Sequence, residues 1–157
     1  MYILVVVGLM FVLPIACTVG EVLIGTVPFS LVVVGKWFVL WSVGLRLSLA
    51  GLRQILQPRY TANVILSLKS EESLILVREL GFANVAIGLV GVGSAVFPSW
   101  RPAGALAGGV FYALAGANHV LQTHRGKLEG IAMVSDLWAS GILLASFIAM
   151  LASRNPT

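Results

Sequence analysis

Five apolar stretches follow one another along this chain with only short polar interruptions, and each is long enough to cross a bilayer. A membrane-spanning helix needs about 20 apolar residues. Only 10% of the residues are charged and 59% are hydrophobic, with a mean hydropathy of +1.00. A soluble domain carries roughly 25% charged residues, so this chain calls for lipid as its solvent. The predicted fold class is all-α: an integral membrane helical bundle of about five transmembrane spans, with residues 1–157 as a single transmembrane helical-bundle domain.

The first span is expected from Tyr2 to Ile24, kinked at Pro14, and the turn Gly25-Thr26-Val27-Pro28 closes it. The second runs from Phe29 to Leu52 and ends in an amphipathic stretch carrying Arg46, Arg53 and Gln54. Pro58 breaks the helix. The segment Thr61–Leu68 is too short to span and is read as interfacial. Ser70-Glu71-Glu72-Ser73 has the composition of a helix start. The remaining spans are expected over Leu74–Phe97, Ala103–Leu121 and Glu129–Leu151. They are separated by the proline-bracketed turn Pro98–Pro102 and the basic loop His124-Arg125-Gly126-Lys127.

With five spans, Arg53, Arg59 and Lys69 fall on the same side as Arg125 and Lys127, while the other side holds Arg101 and Arg154. The positive-inside rule then sets the N-terminus in the cytoplasm of a cell with the chain in its cytoplasmic (inner) membrane. The agreement of span count and charge favours five spans over four, the alternative being a broken or partly re-entrant first pair.

The net charge of +4 follows from these loops and from no basic stripe with interleaved aromatics, so nucleic acid is not an expected partner. The single cysteine, Cys17, permits no intrachain disulfide. Leu13-Pro14-Ile15-Ala16-Cys17 only faintly resembles a lipoprotein cleavage site, lacking a basic n-region, and the N-terminus is read as a retained span. His119 and His124 lie five residues apart on one segment and cannot clamp a haem from opposite sides; no Glu-x-x-His motif is present. No metal site and no cofactor are expected.

Small residues repeat at helical spacing in the third span (Gly81, Asn84, Gly88, Gly91, Ala95), and the fourth carries Gly104 and Gly108, then Tyr112, Gly116 and His119 on roughly the same face, which suits close helix packing within the bundle or, as the alternative, a homodimer face.

Ionisable residues within the spans are costly at mid-bilayer, about 2.5–3.5 kcal/mol on insertion scales, and normally face a bundle interior. Glu21 and Lys36 flank the first turn and are expected to pair there, on the extracytoplasmic side. Arg46, Arg78, Glu79, Asn84, Asn118, His119, Glu129 and Asp136 fall at similar depth towards the other end, from four different spans. Glu129 and Asp136 are seven residues apart and so share a face, which Ser140 continues. One reading is a structural clasp, since breaking a buried pair costs about 3–5 kcal/mol. A second is a ligand site or proton path lined by all eight residues, with Arg46 and Arg78 suited to an anionic headgroup. A third is intramembrane acid–base catalysis by His119 with Glu129 or Asp136. There is no nucleophile elbow, His-Glu-x-x-His or phosphate loop, so the catalytic reading rests on residue types alone.

Lys36-Trp37-Phe38, Gly51-Leu52-Arg53-Gln54, Arg78-Glu79-Leu80-Gly81-Phe82-Ala83-Asn84, Gly108-Gly109-Val110-Phe111-Tyr112 and Ala132-Met133-Val134-Ser135-Asp136 together resemble a family of small prokaryotic polytopic membrane proteins. The resemblance covers most of the chain from Lys36 onward and implies a compact helical bundle; it implies no activity. A looser similarity to small bundle proteins that accompany membrane redox enzymes is architectural.

The leading expectation is a non-catalytic subunit or partner in a membrane complex, whose polar cluster holds a lipid or quinone-like ligand. The expected partners are membrane lipids and a homo-oligomer or larger membrane complex. The alternatives are a small oligomeric transporter or proton-linked carrier, and an intramembrane enzyme.

Overall fold

The structure, a computed structural model, describes residues 2–25, 27–66, 68, 70–122 and 126–153. Thr26, Lys69, His124, Arg125 and Arg154, which entered the loop and topology reading, lie outside the described residues. The chain is 87% helix with no strand among the described residues. Five helices are each long and apolar enough to cross a membrane: α1 (Tyr2–Leu23), α2 (Leu31–Leu56), α3 (Ser73–Gly93), α4 (Pro98–Leu121) and α5 (Lys127–Ala152).

Their surfaces invert the soluble pattern. Leu4, Leu23, Ile75, Leu76, Leu89 and Ile148 are exposed, whereas Ser42, Asn84, Ser135, Asp136, Ser140 and Ser146 are buried. Buried polar groups and broadly exposed leucines carry information that a lone surface leucine does not. The arrangement fits a multi-pass membrane protein.

α2 lies at the centre and touches all four other helices; α1, α5, α4 and α3 follow one another around it. Gly25, at φ 74°, takes the left-handed conformation that ends α1 and turns the chain into α2. Ser30 caps α2, its hydroxyl accepting from the Val33 N–H at 3.4 Å.

The small-residue stripes of the third and fourth spans have different partners. Along α3, Gly81, Gly88 and Gly91 press against α2, where a Cβ on Gly51 would stand 2.5 Å from the Gly81 carbonyl oxygen. α4 meets α2 where Gly104 and Gly108 face Val39 and Val43, and meets α5 where Gly109 and Gly116 face Leu144 and Leu137.

Both α1 and α2 contain a wide, π-type stretch, Gly8–Val12 and Val39–Leu45. In α1 the Leu13 N–H reaches five residues back to Gly8. Pro14 then brings no N–H at all. The carbonyls it would have served are those of Met10 and Leu9, four and five residues upstream. Trp138 of α5 donates its indole Nε1–H to Met10 O at 3.2 Å, and Ser42 of α2 donates its hydroxyl to Leu9 O at 3.2 Å. In α2 the Arg46 N–H serves Trp41 and Val43 and not Ser42. Tyr112 of α4 donates its hydroxyl to the Ser42 carbonyl. Irregular turns thus free carbonyls that side chains of neighbouring helices capture. Around them lies a core of Val6, Met10, Phe38, Val43, Tyr112 and Leu143.

Candidate functional site

At the end of the bundle that holds the start of α1, residues from all five helices surround a cavity of about 350 Å³. α2 contributes Arg46, Arg53 and Gln54 on one face, because residues seven apart in a helix lie one above the other. The wide stretch of α2 ends at Arg46, so that turn sets the direction of its side chain. α1 brings Tyr2, α3 brings Asn84, α4 brings Tyr112 and His119, and α5 brings Asp136. The connection after α2 makes a short wide helical turn, Tyr60–Ile65, in which Thr61 and Ala62 are buried. Its Tyr60, Thr61 and Ile65 form part of the cavity wall. The segment expected at the interface therefore covers the polar cluster. The rest of the wall is mainly apolar, including Val5, Leu49, Leu80 and Phe111.

The polar atoms fall into three groups. Asn84 donates its Nδ2–H to Gln54 Oε1 at 2.7 Å, which joins α3 to α2, and its own Oδ1 is buried with no partner among the described residues. His119 Nδ1 stands 3.2 Å from Glu129 Oε1, which joins α4 to α5. An ionised carboxylate only accepts, so with Glu129 ionised the hydrogen of this bond sits on Nδ1. Arg46 and Asp136 act on each other electrostatically, and both act on the Tyr2 hydroxyl. Among the described residues neither makes an ion pair within 4.0 Å. The guanidinium carbon of Arg46 is 5.8 Å from the centre of the Tyr2 ring, and Arg46 Nε is buried without a hydrogen-bond partner. Arg53 lies on the Tyr60 ring at 3.5 Å, a close cation–π contact.

No family model matches the chain, and no curated protein or solved structure matches it either. The geometry therefore carries the functional argument.

Of the eight residues grouped by depth, Arg46, Asn84, His119 and Asp136 line the cavity, and Glu129 supports it through His119. Arg78, Glu79 and Asn118 do not join them; all three are exposed. The reason is helical phase. The buried row of α3 is Val77, Gly81, Asn84, Gly88 and Gly91, and Arg78 and Glu79 lie about 100° and 200° around the helix from Val77. Asn118 likewise stands one position off the row of Tyr112, Gly116 and His119. Arg78 and Glu79 therefore stand outside the cluster, which surrounds an open space.

Tyr2, Arg53, Gln54, Tyr60 and Tyr112 complete the wall and were not among the expected site residues. The spacing of Arg46, Arg53 and Gln54, seven and eight residues apart, is the signal in the sequence that places the last two beside the first. Nothing comparable marks Tyr2 or Tyr60, which arrive through tertiary packing.

At the opposite end of α1 and α2, Lys36 Nζ lies 2.7 Å from Glu21 Oε1, and Trp37 donates its Nε1–H to Glu21 Oε2 at 2.6 Å. The Lys36 ammonium also sits 4.6 Å from the Trp37 ring centre, and Arg101 is near enough to act on the Glu21 carboxylate. This group ties the first hairpin together.

No three His, Cys, Asp or Glu side chains converge among the described residues. The cavity brings together two guanidiniums, amide and phenol groups, a carboxylate and an imidazole within a mainly apolar wall.

Proposed function

We propose that this chain is a small, non-catalytic protein of the cytoplasmic (inner) membrane that holds an amphipathic, lipid-soluble ligand in the cavity and acts as a subunit or partner of a membrane complex. The observation that carries the reading is the cavity of about 350 Å³, apolar in most of its wall, in which Arg46 Nε and Asn84 Oδ1 are buried without partners among the described residues. Sites for small organic ligands have this character: volumes of roughly 300–1,000 Å³ and a few placed polar groups in apolar walls. A buried donor or acceptor left without a partner costs about 1–3 kcal/mol, and a ligand that supplies both partners would recover it.

The reading sets the N-terminus and the cavity end of the bundle on the cytoplasmic side, since Arg53, Arg59 and Lys127 cluster there. Headgroups and quinone rings both reach this depth of a bilayer.

Native mass spectrometry of the untagged protein, extracted gently from its own membrane, tests the proposal. A discrete bound mass at one per chain, on the protein alone or within a larger complex, is the expected result. A protein that emerges bare in every charge state, and stays bare when total lipid extract is added back, would overturn it.

A further inference from the structure

We propose that the cavity selects an oxyanion-headed lipid bearing a hydroxyl, a phosphoglycerol type of headgroup, over a neutral lipid or a quinone. This rests on the ligand-binding reading above and adds the charge and hydrogen-bonding character of the ligand.

The charge of the wall points to an anion. Among the described residues that line the cavity, the guanidiniums of Arg46 and Arg53 face a single carboxylate, Asp136, and neither arginine has an ion pair within 4.0 Å. Glu129 lies outside the cavity wall, its carboxylate 3.2 Å from His119 Nδ1, so among the lining residues the two guanidiniums are set against Asp136 alone. One cation is left in surplus. A charge drawn partly out of water without a counter-charge is destabilised, and a quinone, which is neutral, would leave it so. A phosphate or carboxylate would remove the surplus and accept the unused Arg46 Nε–H. The planar guanidinium matches such oxyanions in a bidentate fork.

The acceptors point to a hydroxyl. Asn84 uses its Nδ2–H on Gln54 and leaves Oδ1 buried and unpartnered. Neither arginine is hydrogen-bonded to it, and an oxyanion has no hydrogen to give. A headgroup hydroxyl does. The apolar part of the wall, with Leu49, Leu80 and Phe111, suits the start of an acyl chain.

The test is a competition read by native mass spectrometry on the full-length protein in neutral detergent. Four probes are compared, three with an oleoyl chain and one a quinone with a shorter alkyl tail: oleoyl-lysophosphatidylglycerol, oleate, monoolein and decylubiquinone. The expected order is lysophosphatidylglycerol first, oleate next, and monoolein and decylubiquinone at least tenfold weaker than the first. Arg46→Gln and Arg53→Gln should each weaken lysophosphatidylglycerol about tenfold or more and weaken monoolein by much less. Arg53 is half-buried and stacks on a loop tyrosine, so Arg53→Gln keeps the test sound should Arg46→Gln fail to fold. Equal binding of monoolein or decylubiquinone, or full binding of lysophosphatidylglycerol by both folded variants, would overturn the inference and leave a ligand site of another chemistry. Binding of none of the four would overturn the inference and the ligand-binding reading together.

Discussion

The indole of Trp138 in α5 donates a hydrogen bond to the backbone carbonyl of Met10 in α1, 128 residues earlier in the chain. Met10 precedes Pro14 by four residues, so its usual helical donor does not exist. The Trp138 ring also stacks on Phe11 at 5.6 Å and tilts against Phe38 at 6.5 Å. One side chain therefore compensates a proline and packs against two helices.

Trp138→Phe keeps the stacking and removes the donor. It should lower stability by about 1–2 kcal/mol, the cost of a buried carbonyl left alone. In a Pro14→Ala background the new backbone N–H can take over, and the cost of Trp138→Phe should drop by at least half. Thermal unfolding of the four proteins in detergent gives the coupling. Equal costs in the two backgrounds would dissociate Trp138 from Pro14.

The contact between α2 and α3 has no room for a methyl group at Gly51, where an added Cβ meets the Gly81 carbonyl oxygen at 2.5 Å and the Val85 nitrogen at 2.8 Å. Backbone atoms cannot step aside as a side-chain tip can. Gly51→Ala should cost about 1–3 kcal/mol, as overpacking does. Gly141, where an added Cβ meets nothing within 4 Å, is the control. Gly141→Ala should be neutral or raise stability by up to about 1 kcal/mol through helix propensity. The same unfolding assay separates the two.

Asp136 is the carboxylate that acts on Arg46, yet it makes no ion pair within 4.0 Å among the described residues. Asp136→Asn should therefore leave the fold intact. It should also strengthen binding of an anionic lipid severalfold, because the opposing charge in a low-dielectric pocket is gone. Loss of expression together with lowered thermal stability would mean that Asp136 locks the bundle instead.

Arg78 and Glu79 stand on the outer face of α3, away from the cavity. Arg78→Gln and Glu79→Gln should change stability by no more than about 0.5 kcal/mol, as surface substitutions do, and leave lipid binding at the wild-type level. A binding defect in either would place these residues on the route by which ligand enters.

The five helices were legible from apolar run length, since nothing but lipid accommodates five such stretches in succession; the helices end within a few residues of the expected bounds in most cases. The α3 helix stops earlier, at Gly93, because Ser94–Val96 turn and the Phe97 and Trp100 rings pack 5.2 Å apart at the corner. Position along each helix grouped Arg46, Asn84, His119 and Asp136, which line one cavity. Direction around the helix was harder to read. Arg78 is adjacent in sequence to the buried Val77 but projects from a different face of α3, a distinction that only the glycine row reveals. The wide turns in α1 and α2 left no mark apart from Pro14, because a π-type turn is selected by the partners that capture its carbonyls, and those partners come from other helices: Ser42 of α2, Tyr112 of α4 and Trp138 of α5. Tyr60 reached the cavity through a loop whose path no periodicity describes.

The position of α5 in the order of synthesis has a consequence for how the molecule is made. It is the last of the five helices to leave the ribosome, and it carries Glu129 for His119, Asp136 opposite Arg46, Trp138 for Met10, and Ser146 against Gly35. Until it inserts, an imidazole, a guanidinium and a proline-freed carbonyl on three other helices wait in lipid for their partners. The packing of these five helices therefore closes in a single step, and a chain cut short before Lys127 would carry several unmet polar groups at once.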